Sequence, residues 1–365
     1  MPKTTSLDLR QQVGQLLIMG FDGLAADGHL RTTLSTLQPS GVILFARNIE
    51  SPRQTWELLH DCQAASALPM FLCVDMEGGT VDRLKNIIAP APAVQEVYAA
   101  RSPRIYHMHG HTIGLEVRAL GFNTDFAPVV DLGFEASRPV LTSRTASADP
   151  HEVVAYAREF LRGLKSAKVM GSGKHFPGLG EANLDTHKEL PSIPKPWKKL
   201  WAEDLVPYRL LHRQFPFVMV AHASYPDVTK DNQPASLSKK WMQEILRKKI
   251  GYRGLIISDD LEMGGVLAAG SIEEVAVETL RAGADMFLVC HNQELVWGAF
   301  EAVLRTAEND RRFATHITQA AGRVLQFKKR ARELHEFASQ PKAKVVQTLK
   351  KLVQDFSRVV EEYHS

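Results

Sequence analysis

Between residues 174 and 187 the chain reads Lys174-His175-Phe176-Pro177-Gly178-Leu179-Gly180, then Asp185-Thr186-His187. Two imidazoles, the Asp185 carboxylate and an ammonium fall in one short segment, and its proline and glycines favour an irregular backbone able to close over a ligand. Asp185 and His187 are two residues apart, a spacing that lets a carboxylate orient and tune an imidazole. With a reference pKa of about 6.5, such an imidazole keeps both protonation states within reach near neutral pH. The chemistry on offer is proton transfer to and from a bound ligand.

Those groups must be carried by regular elements, and the apolar patterning says which. Short β-branched runs recur at 15–21, 41–45, 70–75, 124–130, 169–174, 217–221, 254–259 and 285–290. Most are continuously hydrophobic, as strands buried on both faces should be, and the segments between them are long enough for helical crossovers. Asp149-Pro150-His151-Glu152 supplies a capping aspartate and a proline at the first helical position, followed by the apolar stripe Val153, Ala157, Phe160, Leu161 and Leu164. Ser271 and Glu274 form a second capping box, and Gly283 ends that helix. Eight strand-helix units predict an α/β fold, a (β/α)8 TIM-type barrel with additional C-terminal helices; a doubly wound open sheet is the rival. Residues 1–340 are expected to form one catalytic domain. Residues 341–365 are expected to add a packed helix through the stripe Val346, Leu349, Val353, Phe356 and Val360.

In a barrel the chemistry sits at the carboxyl ends of the strands. Here the runs terminate in Asp75, with Glu77-Gly78-Gly79 and Arg83 close behind, in Lys174-His175, in His222 and in Ser258-Asp259-Asp260. Singly, each has an ordinary reading as a cap, a solvated rim charge or a hydrogen-bonded core histidine. Four such ends together point to one site. His107, His109 and His111 lie two apart on a helix and read as surface or packing residues.

Composition narrows the partners. Lysine and arginine number 44 against 41 aspartates and glutamates, a formal net charge of +3, which gives no reason to expect nucleic acid or an anionic membrane. Cys62, Cys73 and Cys290 form no metal or redox pair and suit a reducing interior. No run reaches transmembrane length, and Asp8 and Arg10 interrupt the N-terminal stretch, so a cytoplasmic protein is expected. There is no HExxH, no Cys-His zinc pattern, no GxSxG elbow and no Walker loop, so neither metal nor cofactor is expected. What remains is carboxylate and histidine chemistry beside an arginine and a lysine able to grip polar groups, an inventory that suits glycoside hydrolysis. A Schiff-base aldolase would also use a strand-end lysine, but Lys174 on a carboxylate-rich rim is poorly placed to lose its charge.

The segment 174–187 resembles the signature of family-three glycoside hydrolases of the β-N-acetylglucosaminidase branch. The likeness extends to Asp75-Met76-Glu77-Gly78-Gly79 with Arg83, to Asp125 through Asp131, to Arg144, to Ala221-His222 and to Ser258-Asp259-Asp260-Leu261, in family order over roughly residues 10–330. The resemblance implies that Asp259 is the nucleophile of a covalent glycosyl-enzyme, that Asp260 is structural, and that His187 is the acid/base with Asp185 as its partner. It implies that Asp75, Arg83, Arg144, Lys174, His175 and His222 bind the N-acetylglucosamine ring. A barrel without the second domain of larger members is expected, with N-acetylglucosamine glycosides or muropeptides of cell-wall recycling as substrates and a monomeric state. Met76 and Thr80 depart from the Gln and Arg common in the branch, and Leu179 stands where histidine alternates with leucine. The alternatives are a phosphorylase using the same site and a catalytically silent sugar-binding barrel. His187 is expected to lie well away from Asp259 without ligand, because retention needs about 5 to 5.5 Å only in the productive state.

Overall fold

A computed structural model describes residues 7–182, 184 and 189–363. The strands, in chain order, are β1 (Leu17–Met19), β2 (Gly41–Ile43), β3 (Phe71–Val74), β4 (Met76–Gly78), β5 (Val81–Asp82), β6 (Thr124–Asp125), β7 (Ser172–Phe176), β8 (Phe217–Val220), β9 (Leu255–Asp260) and β10 (Met286–Val289). Eight of them form one parallel sheet in the order β6-β3-β2-β1-β10-β9-β8-β7. Parallel bridges Thr124 to Met170 and Val129 to Lys174 link the segments around β6 and β7 and bring the sheet round into a barrel. The eight expected runs are these eight strands, and the barrel is favoured over the open sheet by that return contact.

Three details differ from the expected runs. The run 124–130 keeps regular pairing only over Thr124–Asp125, because Pro128 has no N–H to give to a ladder. β7 starts later than expected and continues through Phe176, where it pairs with Val220, so Lys174 and His175 lie inside the strand. The segment after Asp75 turns back as an antiparallel hairpin, β4 with β5, outside the barrel.

Helices fill the crossovers, and their start signals work as the chemistry demands. The Asp149 side chain accepts from the backbone of His151 and Glu152 to open helix Pro150–Ser166, and Ser271 with Glu274 closes a capping box at Ile272–Ala282. Inside the barrel Phe71, Phe126, Phe217 and Phe327 meet edge-on or tilted, with centroids 5.2 to 6.1 Å apart. The last helix, Ala343–Glu362, buries Leu349, Val353, Phe356 and Val360, and Phe356 stacks on His109 at 5.7 Å. His109 is itself fully buried and bonds the Tyr156 hydroxyl through Nδ1. Among the described residues no helix is long and apolar enough to cross a membrane.

Candidate active site

The carboxyl ends of β3 and β7 meet in a cluster of paired charges. The Lys174 ammonium donates to Asp75 Oδ1 at 2.8 Å and lies 2.6 Å from Glu77 Oε1. Arg144 grips Glu77 with both arms of its guanidinium, Nε at 2.7 Å and Nη2 at 2.9 Å, the bidentate geometry that fixes a planar cation most firmly. Burial alone would push Glu77 up, yet Arg144 and Lys174 hold its carboxyl far below the ordinary range. Burial likewise would lower Lys174, and Asp75 and Glu77 raise it instead. Glu77, Lys174 and Arg144 are therefore charged and mutually held. Arg83 stands at the edge, 3.9 Å from Asp75.

Glu77 reaches this position from the hairpin turn. Gly78 and Gly79 have φ of 84° and 58°, and a Cβ would lie 2.2 Å from Pro92 O at the first and 2.6 Å from Ala93 Cβ at the second. A side chain at either would force the hairpin away from Pro92 and Ala93. Met76 turns its sulfur into the hairpin, where it accepts the Arg83 N–H at 3.2 Å, and Thr80 is exposed at the tip. Neither lines the cavity described below, so the two departures alter the hairpin rather than the walls.

Lys174 and His175 are joined by a cis peptide bond, and both line the cavity. Asp131 fixes the histidine: it accepts from His175 Nδ1 at 2.7 Å and from the backbone N–H groups of His175 and Leu179. Among the described residues no hydrogen bond engages Nε2 of His175. Asp125 is buried, accepts the Met76 N–H at 2.9 Å, and burial raises its pKa well above the ordinary carboxylate range.

At the far wall β9 presents Asp259 and Asp260. Asp259 accepts the Asp260 N–H through Oδ1 at 2.9 Å; among the described residues nothing hydrogen-bonds Oδ2. Burial would raise its pKa, but His175, His222, the Asp260 N–H and Lys174 outweigh that and hold it below the usual value, ionised. Asp260 turns aside to accept from the backbone of Glu262 and Cys290, with Oδ2 at 3.2 Å from His291 Nδ1. His222 does not line the cavity. Its Nε2 donates to the Asp260 carbonyl at 3.0 Å and its Nδ1 accepts from Ser236 at 2.7 Å, and burial lowers its pKa. Both ring nitrogens are thus used by the protein, a bracing position rather than the ligand-facing one expected of His222.

These walls enclose a cavity of about 470 Å³ lined by Asp75, Arg83, Arg144, Lys174, His175 and Asp259, with Phe45 and Val140 among its apolar sides. Such a mixture, apolar walls with a few convergent polar groups, is the usual make-up of a small-molecule site. Asp185 and His187 lie outside the described residues, as does the expected separation of His187 from Asp259. Two residues quoted in the motifs but given no role of their own emerge as central: Glu77, partner of both cations, and Asp131, which orients His175. A strand-end carboxylate near a basic strand end was the only signal for either. Asp260, Glu262 and His291 place potential ligand atoms within 4.8 Å of one another, but the Glu262 carboxylate already accepts the N–H groups of His291 and Asn292.

The chain can now be set beside known proteins. Residues 8–327 match the profile described as "Glycosyl hydrolase family 3 N terminal domain". A protein named Beta-hexosaminidase from Alkalilimnicola ehrlichii is 38% identical over 296 residues, covering 79% of this chain and 83% of that protein. Another of that name from Pseudomonas aeruginosa is 37% identical over 294 residues, with 79% and 86% covered. Among solved structures, a family 3 β-N-acetylglucosaminidase from Paenibacillus superposes with a TM-score of 0.91 at 33% identity, over 96% of this chain and 68% of that one. The fold, the paired charges on one rim and the matched length agree: the chain belongs to glycosyl hydrolase family 3.

Proposed function

We propose that the protein is a retaining exo-β-N-acetylglucosaminidase acting by double displacement. The observation that carries this is Asp259, a carboxylate held ionised in the cavity wall with Oδ1 tied to the next N–H and Oδ2 unengaged among the described residues. Oδ2 attacks the anomeric carbon, and the departing oxygen takes a proton from His187, whose imidazolium Asp185 stabilises. Water then releases the sugar with His187 as base. Asp75, Arg83, Arg144, Lys174 and His175 hold the terminal ring, and His222 braces the backbone behind Asp259 and Asp260. The names of the relatives support the sugar class. Residues 1–340 are taken as the catalytic unit and 341–365 as a helix against it. The resemblance supports a cytoplasmic monomer that releases N-acetylglucosamine from muropeptides, without cofactor or metal.

Replacing Asp259 with Ala is expected to lower turnover of an aryl N-acetylglucosaminide by at least about 10³-fold, the scale seen when a covalent nucleophile is removed, and to abolish trapping by a fluorosugar. Retained trapping would overturn the role of Asp259. Turnover in phosphate buffer should give free sugar; sugar 1-phosphate would make the enzyme a phosphorylase. A complex with N-acetylglucosamine in which the ring does not touch Asp75, Arg144 or Lys174 would refute the binding assignment.

A further inference from the structure

The opposite end of the barrel holds a larger cavity, about 770 Å³, against the segments that precede β7, β8 and β9. Its lining carries Lys165, Arg213, Arg253 and Arg330 against one carboxylate, Glu333. None of these four cations has a hydrogen bond or ion pair within the described protein. Elsewhere on the surface Arg10, Arg31, Arg53 and Arg162 each lie against a carboxylate; what distinguishes the four here is that they line one concavity. All four are exposed, so water screens much of their mutual repulsion, but gathered around one concavity they give it a positive potential that favours an anion.

Helix ends account for part of this. Lys165 and Arg330 lie in the last turns of Pro150–Ser166 and Arg311–Arg330, where cations complement the helix dipole. Arg213 and Arg253 lie outside regular helix, in the connections leading to β8 and β9, and the dipoles do not explain them. The base of the cavity is apolar: Phe215 and Ile250 are buried there beside the half-buried Phe327. A convex lipid-binding patch would need none of this depth, whereas a volume of several hundred cubic ångströms is that of a small-molecule site.

We propose that this cavity binds a compact phosphorylated molecule bearing an apolar ring, a nucleotide in the simplest case. The arginine forks of Arg213 and Arg253 take the phosphate oxygens, Lys165 and Arg330 complete the charge, and the ring lies toward Phe215 and Phe327. The site is at the other end of the barrel from the Asp259 cavity and is independent of the activity proposed for it.

Calorimetric titration of the full-length protein with ATP, pyrophosphate and adenosine, at an ionic strength of about 0.15 M so that diffuse surface attraction is screened, tests the proposal. One ATP is expected to bind per chain, more tightly than either part alone. The double variant Arg213→Ala/Arg253→Ala should weaken it by about tenfold or more with glycoside turnover and melting temperature unchanged. Arg213→Lys/Arg253→Lys, which keeps charge but not the forks, should fall between. Unchanged ATP affinity in the alanine variant, or no saturable binding, would overturn the site. Pyrophosphate binding as tightly as ATP would overturn the ring position. Binding only to vesicles of anionic phospholipid would overturn the cavity in favour of a membrane surface.

Discussion

Lys174 and Lys328 are both buried, 3% and 0% exposed, and they sit at opposite ends of one barrel. Lys174, at the active-site end, lies between Asp75 and Glu77, and these carboxylates raise its pKa against the effect of burial. Lys328, at the other end, donates to two neutral oxygens, Gln15 Oε1 and the Ser40 carbonyl, both at 2.9 Å, over the Phe71 ring at 5.0 Å. Among the described residues no carboxylate pairs with it, and burial pushes it down to about 7. The same side chain at nearly the same depth is a fixed cation in one place and a titrating amine in the other. The partners decide, not the burial.

The largest expected effect of breaking this contrast is at the rim. Lys174→Met leaves Asp75 and Glu77 facing each other with one cation fewer, and removing one partner of a buried pair costs about 3–5 kcal/mol. Denaturant unfolding should show that loss together with near-complete loss of glycoside turnover; an unchanged midpoint would mean that the rim charges are solvated. Glu77→Gln is expected to cost somewhat less, about 2–3 kcal/mol, because an amide still accepts from Arg144. It should also remove the part of the acid sensitivity that belongs to Glu77. That carboxyl is depressed on folding, so its contribution is present above its ordinary value of 4.5 and lost as pH falls below it.

At the other end the sign reverses. Lys328 binds its proton less tightly when folded than its ordinary value of 10.5 implies. Stability therefore bears the full penalty below about pH 7 and recovers as pH rises from there toward 10.5, at up to roughly 1.4 kcal/mol per pH unit. Lys328→Met should flatten that rise. At pH 9 it should be destabilised by about 1–3 kcal/mol for two lost hydrogen bonds, and by less or not at all at pH 6. Parallel wild-type and variant curves would show that the amine keeps its proton throughout. The smallest effect is expected at the hairpin tip, where Thr80→Arg should change stability by no more than about 0.5 kcal/mol, as at other exposed positions. A large change in turnover there would mean that the hairpin moves onto the substrate.

The barrel was legible because its strands are buried on both faces and so spell themselves as continuous apolar runs, and because Asp149, Ser271 and Gly283 mark helix ends by local chemistry. The β4–β5 hairpin escaped notice: it is short and charged, and its course is set by Gly78 and Gly79 packing on Pro92 and Ala93. The site was legible as a set of strand-end polar residues, but not as a wiring diagram. Nothing local in the sequence says that Arg144 grips Glu77 or that Asp131 orients His175, since partners 67 and 44 residues apart meet only after the barrel forms. His222 shows the same limit from the other side. A strand-end histidine looks alike whether its ring faces a ligand or, as here, Ser236 and the Asp260 carbonyl.

Lys328 has one more consequence, for the order in which the chain becomes a protein. Its ammonium joins residues 313 and 288 positions away in sequence, at the point where β1 and β2 begin, and β1 also pairs with β10. Contacts of such separation form late, because the loop they close must be ordered before they contribute. Until helix Arg311–Arg330 docks, Gln15 and Ser40 lack the donor that this bond provides. The first strands are therefore completed by almost the last part of the barrel to be made, and the two ends of the domain are expected to gain protection from hydrogen exchange together.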